Sequence, residues 1–259
     1  MIVSKLQGGL GNQLFQWAAA RSYAYDNNID YKFEISFFFT QNLRHPKLNE
    51  FPNIKFELAN QFDAQGKNMI VVNDDFRYKE FEKINQNEIL LLNGYWQSEK
   101  YFIKNREVIL KDLFNEEKYS KLLNTPFLDY DVTSLHIRRT DYLESNGYHP
   151  VQTLEYYKNA IDEVGDYDYL FVFSDDIEWC RTNLKFKNMI FMTGFSDIED
   201  LYLMSMCKNN IIANSSFSWW GAWMNKNENK KVISPSKWFG EHITINQSDI
   251  IPESWIKIK

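Results

Sequence analysis

The sequence is poor in cysteine: Cys180 and Cys207 are the only two in 259 residues. Neither lies in a CxxC pair or near a histidine doublet, which excludes a disulfide-stapled scaffold and a cysteine-based zinc site. Both are read as buried free thiols, since free cysteine packs as a small apolar residue. Long apolar runs are also missing. None approaches the roughly 20 residues needed to span a bilayer, and the opening "MIVSKLQGGL" lacks the charged, apolar and cleavage regions of a signal peptide. An excess of basic charge is missing too: 29 Lys and Arg stand against 35 Asp and Glu, a net charge of -6, with an isoelectric point near 5.4. That balance excludes an extended nucleic-acid surface, which needs a basic stripe to displace counterions. Any polyanion must be bound locally. The four histidines, His45, His136, His149 and His242, are scattered, and no His, Cys, Asp and Glu group has metal-ligand spacing, so no metal site is expected.

Hydrophobic residues make up 44% of the chain, enough to bury one large core or two modest ones. Aromatic residues reach 17%. Rings pack sugar faces as readily as they fill cores, so this points only weakly toward carbohydrate.

The chain opens as strand (Ile2 to Leu6), glycine turn ("QGGLGNQ") and helix, with Leu14, Phe15, Ala18 and Tyr25 at helical spacing. Strands are expected at Tyr31 to Ile35, Met69 to Val72 and Glu88 to Leu92, and "SFFFTQNLRHPKLNEFPN" is expected to be irregular and surface-lying. "GYWQSEKYF" and a helical segment to about Phe114 follow. A domain boundary is placed after "LLNTPFLDYD", giving residues 1–130 and 131–259, with the carboxyl-terminal tail packing back on the first domain. In the second domain, strands at Thr133 to Ile137, "YLFVF", "NMIFM", "NIIA" and a last one at "KVIS" alternate with amphipathic helices, one opened by Ser196 and Glu199 at capping-box spacing. Apolar strands alternating with helices predict α/β architecture with mostly parallel sheets.

Ligands bind outside the carboxyl ends of such strands. Those ends carry His136-Ile137-Arg138-Arg139, Ser174-Asp175-Asp176, Thr193-Gly194 and Asn214-Ser215-Ser216. Basic, acidic and hydroxyl groups converging on one edge suit a nucleotide diphosphate. A guanidinium holds two phosphate oxygens at once. Alternation sends Arg138 and Arg139 to opposite faces, so one is expected to face the ligand and the other to hold Asp141 or a nearby loop; a surface salt-bridge cluster is the alternative. In "FVFSDD", Ser174 or Asp175 is expected to cap the following helix, leaving the second aspartate for a ribose or guanine. "ANSSFSWWGAW" joins hydroxyls to a helix start, where backbone N–H groups bind phosphate, or where the serines are ordinary caps. Trp219, Trp220 and Trp223 are read as core. Gly9-x-Gly11 is neither dinucleotide fingerprint nor P-loop, since Leu14 replaces the third glycine and no Gly-Lys-Ser/Thr follows. It offers close backbone approach at a helix N-terminus.

Five stretches, in order, carry a resemblance: "GGLGNQLFQWA", "GYWQSEKYF", "HIRRTDY", "FVFSDD" and "NSSFSWWGAWM". Together the chain resembles bacterial α-1,2-fucosyltransferases of glycosyltransferase family 11. The resemblance implies a GT-B-like fold, with two Rossmann-like domains facing across a cleft, the first on the acceptor side and the second binding GDP-L-fucose. It implies inverting, metal-independent transfer to the 2-hydroxyl of a terminal galactoside, with no cofactor besides the donor and a galactose-terminated glycan as acceptor. Arg138 would bind the diphosphate, His136 and Asp176 the guanosine, and Ser215, Ser216, Phe217 and Ser218 would close round the phosphates. Gly9, Gly11, Asn12, Arg139, Asp175 and Asn214 complete the expected donor site. Asp141 and Glu144, with His149 behind them, are the candidate bases, and Asp141 is alternatively the partner of Arg139. A cytoplasmic protein is expected, with peripheral association at the inner membrane left open.

Overall fold

A computed structural model of the chain describes residues 1–115, 122 and 129–259. It divides into two compact units: Met1–Asn115 with Asn246–Pro252, and Glu116–Ile245 with Glu253–Lys259, taken over the described residues. Most of "LLNTPFLDYD", before the expected boundary, lies outside the described residues.

In the first unit, β1 (Ile2–Lys5), β2 (Tyr31–Glu34), β3 (Asn68–Asn73) and β4 (Glu88–Asn93) form a wholly parallel sheet in the order β2-β1-β4-β3. Register aligns Ile2 with Tyr31 and Leu90, and Ser4 with Phe33 and Leu92. Side chains at alternate positions share a face, so this row forms one floor that is apolar apart from Ser4. Helix α1 (Leu10–Asn27) covers it: the Ser4 hydroxyl donates to the Gln16 carbonyl, and Ala18, Ala19 and Ala20 are fully buried, their small side chains allowing close approach. Helix α2 is Arg106–Leu113. The 36–53 segment is irregular, as expected, yet turns inward: Phe38, Leu48 and Phe51 are buried. Apolar residues too unevenly spaced for a helix or strand still plug the core from two short 3-10 turns.

The second unit is a six-stranded parallel sheet: β5 (Val132–Ile137), β6 (Tyr169–Ser174), β7 (Met189–Phe191), β8 (Asn209–Ile211), β9 (Val232–Pro235) and β10 (Ile256–Ile258), in the order β10-β9-β8-β5-β6-β7. Strand β10 goes beyond the expectation that Lys231 to Ser234 ends the sheet; three residues near 256–258 carry too little pattern to read. Central β5 is buried on both faces. Leu135 and Ile137 pack with Tyr156, Tyr157 and Ala160 of α4 (Leu154–Val164), each large side chain contributing roughly 1.5–3 kcal/mol. The capping box at Ser196 and Glu199 opens α6 (Asp197–Met206) as read. Helix α7 (Ser216–Met224) buries Trp219, Trp220 and Trp223 in the core, also as read. It lies so close to α6 that a Cβ on Gly221 would sit 2.8 Å from Met204. Cys180 and Cys207 are free and buried. Among the described residues no helix is long and apolar enough to cross a membrane.

Candidate active site

The strand order fixes where a ligand fits in each unit. From β5 the chain proceeds outward through β6 and β7, then returns to β8 on the other side of β5 and continues to β9 and β10. This is the 3-2-1-4-5-6 order of dinucleotide-binding sheets, whose crevice opens where the direction reverses, here between the ends of β5 and β8. Arg138 and Arg139 leave β5 at that point, and Asn214, Ser215 and the start of α7 follow β8.

Arg138 is bound in a fork. Its Nε and Nη2 each donate to an oxygen of Asp141 at 2.8 Å, and Asp175 lies 3.3 Å from Nε. Asp141 sits on α3 (Thr140–Leu143), one turn beyond the strand end, so the chain's own carboxylate holds the guanidinium as a bidentate ligand would. The expected pairing of Asp141 with Arg139 is therefore corrected. The Arg139 side chain reaches Asp176 at 3.1 Å and lies 3.8 Å over the Trp179 ring, bracing the turn after β6. Its position after the strand end turns it away from Asp141, which the short α3 carries back toward Arg138. Glu144 is exposed at the C-cap of α3.

The helix cap also differs. Asp176, rather than Ser174 or Asp175, is the N-cap of α5 (Ile177–Asn183), accepting from the Trp179 N–H at 3.2 Å. Its second oxygen takes Arg139, so Asp176 is engaged rather than free. The helix starts one residue later than the spacing suggests, moving the cap by one. Asp175 accepts the backbone N–H groups of Arg139 and Thr140 and the Thr140 hydroxyl, pinning the Arg138-Arg139 corner.

Around β8 the contacts are mostly internal. Asn214 is fully buried, donates to the Trp238 carbonyl, accepts from Gln152, and its own carbonyl takes the Tyr142 hydroxyl. Ser215 is the N-cap of α7, accepting from the Phe217 N–H at 3.4 Å, and Ser218 donates to the Ser215 carbonyl. Ser216 opens the helix, half-buried. The His136 ring lies 5.7 Å from that of Phe217. It is 4% exposed, and its Nδ1 has no partner among the described residues. Burial, with Arg138 adding to it, lowers its pKa to about 3, so the ring is neutral. The Tyr142 ring is 5.7 Å from the Arg138 guanidinium carbon and stacks on His149 at 4.8 Å. Burial lowers the His149 pKa as well, with Asp141 opposing and Arg138 adding to the shift.

In the first unit the reversal falls between β1 and β4, at the glycine turn and at Gly94. Gly9 is the N-cap of α1, without a side-chain cap, and Gly11 is buried in its first turn. The left-handed residue is Gly8, at φ 77°, not Gly9. Asn12 accepts from Gln97 at 2.8 Å. Two residues that sequence reasoning passed over hold this loop: Gln13 donates to the carbonyls of Gly8 and His45, and Gln16 bonds the Gln7 N–H and the Gly94 carbonyl. Both are fully buried. The available signal was two glutamines three apart inside an apolar helical run. Tyr142 was likewise missed, though it joins the Arg138 corner to the β8 turn. Among the described residues no group of three or more His, Cys, Asp or Glu is placed to hold a metal.

The sequence model of glycosyl transferase family 11 matches residues 5–259. An alpha-1,2-colitosyltransferase from Escherichia coli is 33% identical over 296 aligned residues, covering 100% of this chain and 99% of that protein. The O-antigen biosynthesis glycosyltransferase WbnK from Escherichia coli is 32% identical over 306 residues, covering 98% and 99%. Among solved structures, fucosyltransferase NodZ from Bradyrhizobium matches with a TM-score of 0.54 at 12% identity, covering 93% of this chain and 96% of that one, a likeness of fold.

Proposed function

The chain belongs to glycosyl transferase family 11 and is a glycosyltransferase, and from that premise we propose that it transfers L-fucose from GDP-L-fucose to the 2-hydroxyl of a terminal galactoside, inverting C1 without a metal. The observation carrying this is the Arg138 fork at the β5–β8 reversal, closed on a carboxylate as it would close on a diphosphate. On this proposal the second unit, residues 131–259 by the sequence boundary, holds the donor, and the first holds the acceptor.

The donor diphosphate takes the Arg138 fork and releases Asp141. The acceptor 2-oxygen attacks fucose C1 from the face opposite the diphosphate, the C1–O bond breaks, and its electron pair leaves on GDP. Arg138 and the N–H groups at the start of α7 stabilise that charge, a contribution of about 3–4 kcal/mol for well-placed donors. Asp141, freed from Arg138, takes the acceptor proton, worth roughly 100-fold or more. The neutral His136 faces the guanosine without adding charge. Such an enzyme works in the cytoplasm, with its glycan acceptor presented there or at the inner membrane surface.

A second donor has its own support: the colitosyltransferase relative is 33% identical across the whole chain. Colitose is fucose without the 3-hydroxyl, so the two donors differ by one polar group. The deciding experiment follows GDP release and product linkage in EDTA, with GDP-fucose, GDP-colitose and GDP-mannose each offered with a galactoside panel. An α-1,2-fucosyl product supports the fucose reading. Preference for GDP-colitose transfers the reading to that donor, and no GDP release from any of the three refutes both.

A further inference from the structure

The sheet of the first unit is open along β3. In a parallel ladder, alternate residues turn both backbone groups toward the neighbouring strand, and the residues between them turn theirs away. The Asn68 N–H bonds the Asn87 carbonyl and the Asp74 N–H bonds the Asn93 carbonyl, so the even-numbered residues of β3 face β4. Met69, Val71 and Asn73 therefore direct their N–H and C=O groups outward, where none has a backbone partner among the described residues.

The other sheet edges are covered or short. At β2, the Phe33 N–H donates to the Glu57 carbonyl and the Phe33 carbonyl accepts the Ala59 N–H, so the chain closes that edge itself. In the second unit the edge strands β7 and β10 have three residues each. Strand β3 has six, Asn68 to Asn73, with neither a proline nor a charged residue among them. Natural edges avoid that composition, because an uncharged apolar row with free N–H and C=O groups is a template for another strand. Met69 and Val71 are 52% and 51% exposed, and Ile70 is 37% exposed.

The row complements itself when read backwards. Only outward-facing residues can exchange bonds across this edge, so an antiparallel partner must set odd positions against odd. When the partner is a second copy, the register that uses all three outward residues is centred on Val71. Val71 then opposes its own counterpart, Met69 opposes Asn73, and Ile70 opposes Val72 on the other face. Continuing the same register sets exposed Lys67 against exposed Asp75 at both ends. Asp75 already pairs with Lys79, but a carboxylate has acceptor sites for further donors. In-register parallel stacking would instead set Lys67 on Lys67 and Asp75 on Asp75, and it has no two-fold axis to close it.

We propose that β3 is the interface of a two-fold dimer of this chain, in which two copies of the strand pair antiparallel about Val71 and join their four-stranded sheets into one continuous sheet. The two-fold axis sets each outward group against its counterpart, so both open edges are satisfied at once and no edge is left for a third copy. One strand pair covers less than the roughly 1,200 Å² of a stable complex, so the dimer is weak, with a Kd of roughly 10–100 μM. The proposal does not depend on which sugar the enzyme transfers.

Sedimentation equilibrium of the full chain, loaded from well below to well above that Kd at low salt, tests it. The native chain should fit a monomer–dimer equilibrium. Val71→Pro deletes an N–H that no bond within the chain uses, and proline is tolerated on the open side of an edge strand. It should raise the Kd at least about 10-fold while the melting temperature of the dilute protein holds. Lys67→Asp and Asp75→Lys should each raise the Kd about fivefold, because each puts like charges opposite one another at both ends. The double variant Lys67→Asp with Asp75→Lys should recover the native Kd, since it re-forms the opposed pairs, and this exchange decides the matter if Val71→Pro does not fold. A monomer at the highest loading, a dimer indifferent to Val71→Pro, charge changes that do not compensate, or assembly that continues past two copies would each overturn the interface.

Discussion

Asp141 places one carboxylate oxygen 2.8 Å from Nε of Arg138 and the other 2.8 Å from Nη2, with Asp175 3.3 Å from the same Nε. The guanidinium is thus aligned before any ligand arrives. Lysine keeps the charge but cannot span two oxygens. Arg138→Lys should lower kcat/KM for the donor by about 100-fold, roughly 3 kcal/mol of transition-state stabilisation, with an unchanged circular dichroism spectrum. Steady-state GDP release measures it, and near-full activity would remove the bidentate role from Arg138.

If a diphosphate displaces Asp141, removing the carboxylate's charge should help the ligand and harm the chemistry. Asp141→Asn is expected to bind GDP at least as tightly as the native protein by calorimetry. Its turnover should fall by about 100-fold, and the acid limb of the kcat profile should disappear. Tighter GDP binding with turnover intact would leave Asp141 as a placeholder only, and Glu144 would be the next base to test.

The Arg138–Asp141 pair also marks where the sequence stops being legible. Apolar runs of four to six residues revealed nearly every strand, because a parallel strand buried on both faces needs continuous Val, Ile, Leu and Phe. The strand ends then selected Arg138, Asp175, Asp176 and Ser215 as neighbours. Which carboxylate meets which arginine was not readable, since it depends on how the β6–α5 turn approaches the end of β5, a contact between residues 36 or 37 apart in the chain. The cap at Asp176 was missed by one residue because all three of Ser174, Asp175 and Asp176 are good caps, and only the helix start decides among them. The buried glutamines 13 and 16 broke the rule that polar residues face outward. They do so because the loop they fasten offers carbonyls and N–H groups that would otherwise be unsatisfied.

His136 predicts a pH dependence of stability. Its folded pKa, about 3 through burial and then Arg138, lies below the roughly 6.5 of an unfolded histidine. Between those values the unfolded chain binds the extra proton, so stability rises with pH across the window. The contribution is complete above pH 6.5 and is lost as pH falls toward 3. His149 shifts in the same direction and is present in both proteins compared. His136→Gln should therefore lose about 3 kcal/mol less than the native protein between pH 7 and pH 4, by urea denaturation at both. Equal losses would mean that His136 takes up its proton as readily in the folded state as in the unfolded one.

The glycine turn separates folding from function at adjacent positions. Gly8 has φ 77°, and a Cβ there would meet the Asn12 amide nitrogen at 2.6 Å; Gly8→Ala should cost about 1–3 kcal/mol of stability. Gly9 has φ -77° and ψ 176°, a conformation open to any residue, and its nearest neighbours would be Arg44 side-chain atoms at 3.9 Å. The fold therefore gives little reason for glycine at position 9, and Gly9→Ala should cost below about 1 kcal/mol at this N-cap. If a substrate approaches the N-terminus of α1 there, the same methyl blocks it, and kcat/KM should fall at least 10-fold while the melting temperature holds. A fully active Gly9→Ala enzyme would reduce the glycine run to a turn that serves α1 alone.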